Sequence, residues 1–313
     1  MEIRIVRAGM QTTVQDLGRR GHRNAGVPLS GAMDSFALRV ANALVGNADN
    51  TAALEFALVG PAIEFSADTL VAVGGAQCEG APAWTQIAVR SGERLDVGAC
   101  VRGCRGYLAI AGGIEVEPVL GSRSTYLRGG FGGFEGRALR DGDVLRVNAD
   151  DKVAAVLRGK AAGNWHIDRR ILPAYSREPT VRIVRGAHAS DRGESLCGPL
   201  FKISPRSDRM GLRLEGPKQE LARGDLLSSA VAPGTIQMPP DGQPLILMAD
   251  AQTIGGYPQV GHVITVDLPL IAQLRPGDGV RFTEIALDEA HKLALAREHA
   301  LAMLHEGLAQ KLG

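Results

Sequence analysis

Glu2-Ile3-Arg4-Ile5-Val6-Arg7 returns in the second half of the chain as Thr180-Val181-Arg182-Ile183-Val184-Arg185. Each stretch alternates apolar residues with arginine, the period-two pattern of a strand with one buried face. Working outward, Leu139-Arg140-Asp141-Gly142-Asp143-Val144-Leu145-Arg146-Val147 returns as Leu274-Arg275-Pro276-Gly277-Asp278-Gly279-Val280-Arg281-Phe282. Both copies read as a turn centred on Gly-Asp followed by a short strand. A third correspondence joins Tyr107-Leu108-Ala109-Ile110-Ala111-Gly112-Gly113 to Leu245-Ile246-Leu247-Met248-Ala249-Asp250 with Gly255-Gly256-Tyr257. Alternating strands and Gly-Asp turns also recur by chance in β proteins. Three matches in the same order nevertheless favour a duplicated, two-module protein.

Composition agrees with that reading. A chain of 313 residues is long enough for about two domains. Its formal net charge of +1 argues against a nucleic-acid binder held by charge, and gives no attraction to an anionic membrane surface. Aromatics are 4%, too few for base-stacking platforms. Forty glycines among 313 residues (about 13%, against a usual ~7%) mean many tight turns. The expected fold is mainly β with a few helices.

The expected organisation is a first β-barrel-like module over residues 1–150, a linker over 151–179, a second over 180–285 and a C-terminal helix over 286–313. The linker carries Trp165 and Tyr175 and lacks the strand pattern. Asp34 is the expected N-cap of a helix from Ser35 to Val45, stopped by Gly46-Asn47. In the C-terminal helix, Leu301, Leu304, Leu308 and Leu312 form one apolar stripe at helical spacing, read as packing on the chain's own core. Strands are expected at Ala62-Phe65, Thr69-Val73, Gln86-Val89, Val231-Met238 and His262-Asp267. Charged Glu2 and Arg4 occupy the place where a signal peptide needs its apolar segment, and no apolar run approaches ~18 residues. Four cysteines in a chain of this length are not a disulfide framework. A cytoplasmic protein is expected.

Several chemistries are excluded by pattern. There is no Gly-x4-Gly-Lys-Ser/Thr loop, no Gly-x-Ser-x-Gly elbow and no dinucleotide fingerprint. Residues 1–150 contain no lysine, so a phosphate there would depend on arginine and backbone N–H groups. The Gly129–Gly136 stretch reads either as a tight connection between strands or as a lid meeting an anion, helped by Arg128 and Arg137. Cys100 and Cys104 lack a second Cys/His pair at finger spacing, and His291, His299 and His305 do not share a helix face. No metal site is expected.

Three polar clusters stand between apolar strands. Thr12–Arg19 with Gly31–Asp34 is the first, Ser207–Gly211 the second, and Gln237–Pro240 with Asp250–Tyr257 the third. Amides and carboxylates beside glycine can position a small polar substrate, because glycine lets a ligand approach the backbone. Asp16 and Asp34 equally suit caps of turns or helices. Asp250, ending a strongly apolar strand, and Arg209 are the leading functional pair.

The same clusters carry a family resemblance. Thr13-Val14-Gln15-Asp16-Leu17-Gly18-Arg19, Gly26-Val27-Pro28-Leu29-Ser30-Gly31-Ala32-Met33-Asp34 and Ala41-Asn42-Ala43-Leu44-Val45-Gly46-Asn47 resemble the allophanate-hydrolase subunit 2 family. So do Leu54-Glu55, Gly60-Pro61, Ser207-Asp208-Arg209-Met210-Gly211, Gln237-Met238-Pro239, Gly255-Gly256-Tyr257-Pro258 and Gln273-Leu274-Arg275-Pro276-Gly277-Asp278. This is also the biotin-dependent carboxyltransferase family, and the likeness runs from about residue 3 to residue 283. It implies two linked β-barrel modules with a cyclophilin-like core, and a partner from the allophanate-hydrolase subunit 1 family.

Members of the family serve in urea amidolyase, in ATP-dependent 5-oxoprolinase with a third subunit, and in regulation of a histidine-kinase inhibitor. Amidase-type hydrolysis is discounted, because Ser228-Ser229 lacks a Gly-Ser-Ser-rich setting. The chain has no Met-Lys-Met biotin-carrier motif, so biotin belongs only to the carboxyltransferase alternative. The first reading that the resemblance implies is a subunit, inactive alone, of an ATP-dependent complex that opens 5-oxoproline to glutamate, with ATP at the level of the complex. The alternatives are a carboxyltransferase subunit of a biotin-dependent urea or amide carboxylase, and a non-enzymatic regulator of a histidine-kinase inhibitor. By residue type, Arg209 and Arg19 would hold anionic groups, Asp250 or Asp16 would act as base or polariser, and Gln15 and Gln237 would orient the amide. Asp34, Gln252, Gly255, Gly256 and Tyr257 complete the expected substrate-binding set.

Overall fold

The computed structural model describes residues 1–148, 167–189, 196–219 and 226–312. The chain divides into two compact units: Met1–Arg19, Asp34–Leu172 and Glu298–Gly313 form the first, Arg20–Met33 and Pro173–Arg297 the second. The division departs from the sequence boundaries in three places, one of them the cut at Leu172/Pro173 inside the expected linker. Residues 20–33 group with the second unit, where the Arg23 guanidinium donates to the Val231 carbonyl and Ser30 N–H donates to the Ala249 carbonyl at 2.9 Å. The C-terminal helix is one helix, but its residues pass from the second unit to the first at Arg297/Glu298. Most of the expected linker, including Trp165, lies outside the described residues.

The first unit contains β1 (Glu2–Arg7), β2 (Thr12–Gln15), β3 (Ala53–Ala57), β4 (Ala62–Phe65) and β5 (Thr69–Cys78). It continues with β6 (Gln86–Val89), β7 (Arg94–Asp96), β8 (Cys100–Ile110), β9 (Ile114–Glu115) and β10 (Val144–Val147). These form two five-stranded sheets, ordered β7-β4-β1-β10-β9 and β2-β3-β8-β5-β6. Alternation explains how they pack. Ile3, Ile5, Ile63, Phe65, Leu145 and Val147 from one sheet share a core with Val14, Leu54, Phe56, Val73 and Leu108 from the other. The odd partners of that second set, Thr13, Gln15, Glu55 and Tyr107, therefore face away from the apolar core.

Helix α1 (Ser35–Leu44) lies against the second sheet, and it begins as its sequence requires. The Asp34 side chain accepts from Ala37 N at 2.9 Å, and Gly46, at φ +78, follows the end. Close approach depends on Gly74 of β5: a Cβ there would fall 2.4 Å from the Ala37 carbonyl oxygen.

The second unit contains β11 (Thr180–Arg185), β12 (Phe201–Ile203), β13 (Gly211–Glu215), β14 (Ser229–Ala230) and β15 (Thr235–Gln237). The remainder are β16 (Leu245–Leu247), β17 (Ile254–Gly255), β18 (Gln259–Val263) and β19 (Gly279–Glu284), with α2 (Leu268–Ala272). Seven strands close a barrel in the order β11-β18-β15-β16-β13-β12-β19, while β14 and β17 pair as a separate ribbon. Val181, Ile183, Phe201, Ile203, Leu214, Ile236, Ile246, Val280 and Phe282 belong to its core.

The closed barrel thus belongs to the second unit, and the first builds its β structure from two sheets. The repeated hexapeptides form equivalent strands in unequivalent pairings. β1 runs antiparallel to β10, whereas β11 runs parallel to β19. The duplication is one of local pattern, because strand direction is set by the connections that return the chain, which the repeats do not share.

Helix α3 (Leu287–Leu312) buries Leu301 and Leu308. Leu304 is half-buried and the side chain of Leu312 lies outside the described residues. Within the first unit, Glu298 of α3 takes a two-point contact from Arg39 of α1 at 2.7 and 2.8 Å, and Arg39 also binds Asp49 at 2.7 Å. None of the described helices is long and apolar enough to cross a membrane.

Candidate functional site

In the second unit, the turn before β13 is set by Asp208, whose side chain accepts from Met210 N at 2.8 Å and Gly211 N at 3.2 Å. The β13–β16 pairing, with Gly211 opposite Leu247, is prolonged by Met248 N to the Met210 carbonyl and Asp250 N to the Arg209 carbonyl, both 2.9 Å. That extension brings Arg209 and Asp250 side by side. Their contact is two-pronged, Nε to Oδ2 at 2.9 Å and Nη2 to Oδ1 at 3.1 Å, with the side chains 5% and 4% exposed. Arg209 Nη2 also donates to the Gly31 carbonyl at 2.6 Å.

Both oxygens of Asp250 are therefore engaged, and the guanidinium is committed to Asp250 and the Gly31 carbonyl. A buried pair of this kind tolerates loss of either partner poorly, because the survivor is left as a desolvated charge. Its geometry is that of a brace between the β13 turn, the end of β16 and the Ser30-Gly31 segment. The expected roles of anion clamp for Arg209 and base for Asp250 do not match that geometry.

Three members of the expected amide cluster come together beside it. Gln237, fully buried at the end of β15, accepts from Gln252 Nε2 at a long 3.5 Å, which leaves Gln237 Nε2 with no partner. Gly255 explains how the backbone passes so close: a Cβ there would lie 2.5 Å from Gln237 Nε2. Gln259 is held by Ser229 Oγ at 2.8 Å and the Ala230 carbonyl at 3.0 Å. Gly256 and Tyr257 are exposed on the following turn.

In the first unit, Asp16 accepts from Gly18 N at 2.8 Å, Ser122 Oγ at 2.7 Å, Arg123 N at 2.7 Å and Ser124 Oγ. Four donors on a carboxylate 1% exposed make it the anchor of the 122–125 segment, so the structural alternative describes it and the catalytic one does not. Arg19 donates to the Ser124 carbonyl and stacks over Phe131, 5.0 Å from the ring centre, so it is also built into the fold. Asp34 is the cap of α1. Gln15 is buried, its Nε2 donating to Thr13 Oγ1 at 3.0 Å and the Thr125 carbonyl at 3.1 Å. A carbonyl can only accept, so the amide orientation is fixed and Oε1 is the atom left without a partner.

Sequence reasoning missed two residues on the same sheet face. Tyr107 Oη donates to Glu55 Oε2 at 2.7 Å and accepts from Asp34 N at 2.8 Å, all three residues being buried. Burial, reinforced by the charges of Glu55 and Asp34, pushes the Tyr107 phenol well above its ordinary range. The signal for Glu55 was its position between Leu54 and Phe56, which reads equally as a solvent-facing residue.

The glycine-rich stretch is a tight connection. Gly130 N donates to the Tyr126 carbonyl and Gly136 N to the Gly132 carbonyl, both at 2.9 Å. Arg137 is tied to Asp143 at 2.8 Å and to Glu135. Among the described residues no group of three or more His, Cys, Asp or Glu is placed to hold a metal ion.

Residues 25–284 match the family model for the carboxyltransferase domain, subdomain A and B. This chain belongs to that family. As a carboxyltransferase-domain protein it is 40% identical over 300 residues to the C subunit of 5-oxoprolinase from Escherichia coli (strain K12), covering 93% of each chain. It is 35% identical over 333 residues to urea amidolyase of Lachancea kluyveri, covering 97% of this chain and 18% of that one. The solved K. lactis urea amidolyase superposes on 97% of the carboxyltransferase-domain chain with a TM-score of 0.88 at 30% identity, using 20% of its own length. The resemblance drawn from the motifs and the mainly β fold are both supported by these matches.

Proposed function

We propose that this chain is the C subunit of an ATP-dependent 5-oxoprolinase and works with an allophanate-hydrolase subunit 1 family protein and a third subunit to open 5-oxoproline to L-glutamate. The observation that carries this reading is the length of the match. The chain and its 5-oxoprolinase relative from Escherichia coli correspond over 93% of both, whereas the urea amidolyase relative uses 18% of its length.

Opening a lactam needs the carbonyl carbon made electrophilic, water added to it, and a proton given to the departing ring nitrogen. Activation by ATP is assigned to the complex. What this chain contributes is recognition of a small amide in the second unit. Gln237 supplies an N–H donor fixed by Gln252 and reached closely by the Gly255 backbone, while Arg209 and Asp250 position the adjoining turn. In the first unit, Gln15 offers an acceptor of its own, and Asp16 and Arg19 position the segment behind it.

A second reading, a carboxyltransferase subunit moving CO2 between biotin and a urea-like substrate, is favoured by the urea amidolyase matches. Capture of the tagged chain from its native host separates the two. The first reading expects the two other 5-oxoprolinase subunits on the resin and a blank streptavidin blot. A stoichiometric biotinylated partner in their place reverses the order of the readings.

A further inference from the structure

Ser30 has a left-handed backbone, φ +53, a conformation that serine adopts only under constraint, and Gly31 follows at φ +80. The constraint is visible. Ser30 N donates to the Ala249 carbonyl at 2.9 Å, and the Gly31 carbonyl accepts from Arg209 Nη2 at 2.6 Å. Arg209 is in turn fixed by its two bonds to Asp250, whose own N–H donates to the Arg209 carbonyl. The buried ion pair and the end of β16 thus hold this one turn from both sides.

The side chain that this arrangement presents is 2% exposed, and its hydroxyl has no hydrogen-bond partner. A buried hydroxyl without a partner is costly, and so is the left-handed serine. Glycine would remove both costs at once, since it carries no hydroxyl and accepts positive φ freely. The hydroxyl has no hydrogen bond to Asp250 or to any other base, so nucleophilic attack by Ser30 has no support. What remains is hydrogen bonding to a ligand, and toward a carbonyl oxygen a hydroxyl can only donate.

We propose that Ser30 is a substrate-contacting residue whose hydroxyl donates a hydrogen bond to the carbonyl oxygen of a small amide, with Arg209 and Asp250 as the positioning residues that hold it. The proposal rests on the amide-recognition reading above and adds the residue that carries it. The carbonyl is the feature that a lactam and urea share. The last residues before Gln252 supply the Ala249 carbonyl, so Ser30 is anchored on the same stretch of chain that carries Gln252 to Gln237.

The test compares Ser30→Ala with Ser30→Gly in the assembled complex, with a thermal melt on each. Alanine removes the hydroxyl and keeps the strain, whereas glycine removes both. A contact to substrate expects both variants to lose about 10–100-fold in kcat/KM for 5-oxoproline. Glycine should do so with a melting temperature equal to or above that of the native chain. A purely structural serine expects glycine at full activity, and that result overturns the proposal, as does alanine within two-fold of native.

Binding of 5-oxoproline and of urea, measured by calorimetry on the same complexes, separates this from the functional reading. If native complex binds urea but neither binds nor opens 5-oxoproline, the 5-oxoprolinase reading fails. The Ser30 proposal then stands or falls on whether Ser30→Ala weakens urea binding at least ten-fold. Native complex that binds neither amide overturns it.

Discussion

Arg209 and Asp250 form a buried pair, and the consequence at the scale of single residues is a non-additive one. Arg209→Met or Asp250→Asn alone leaves an uncompensated charge, or an uncompensated set of donors, and is expected to cost about 3–5 kcal/mol. The double variant should cost less than the sum of the two, which denaturant melts of all three will show. Asp16→Ala removes the acceptor of four donors and is expected to cost about 2–4 kcal/mol, read from the same melts.

Tyr107 supplies the pH prediction. Burial first, then Glu55 and Asp34, raise its phenol well above the ordinary 10.0. Below that ordinary value neither folded nor unfolded chain has lost the proton, and stability is indifferent to it. As pH rises beyond, the unfolded chain releases a proton that the folded chain retains, so stability falls. Stability measured from about pH 9 to 11 should decline in the native chain and decline less steeply in Tyr107→Phe.

Much of this scale was hidden in the sequence. Asp34 announced itself as a cap, but the strain at Ser30 is written only in the glycine that follows it. Asp16, Arg19, Arg209 and Asp250 were legible as polar residues in apolar surroundings. Which of them would be spent on one another depends on contacts more than a hundred residues apart in three of the four cases, Asp16 and Arg19 with Ser124 and Arg209 with Gly31.

Among the elements, α1 and the sheet beneath it depend on one missing side chain. Gly74→Ala would place a methyl 2.4 Å from the Ala37 carbonyl oxygen, which is helix backbone and cannot yield without moving α1. A loss of about 1–3 kcal/mol is expected, with a matching fall in melting temperature. The start of α1 and the limits of β4 and β6 could be read directly, because a cap, a period and a turn residue are all local signals. The pairing of the repeats could not. β1 and β11 have nearly the same sequence pattern, but one lies antiparallel to β10 and the other parallel to β19. The seven-stranded closure of the second unit depends on that difference, and nothing within a six-residue strand encodes it.

At the scale of the whole molecule, each unit has its own core and its own buried polar cluster. Each cluster keeps one amide atom without a partner, Gln15 Oε1 in the first and Gln237 Nε2 in the second. As one subunit of the proposed complex, the chain by itself is expected to show no turnover of 5-oxoproline. The most direct test is an omission assay with isotopically labelled 5-oxoproline and ATP. Glutamate and phosphate should appear in equal amounts when this chain is mixed with its two partner subunits, and neither should appear when this chain is left out. Glutamate formed at the same rate without this chain, or none from the full mixture, would contradict its assignment as the C subunit.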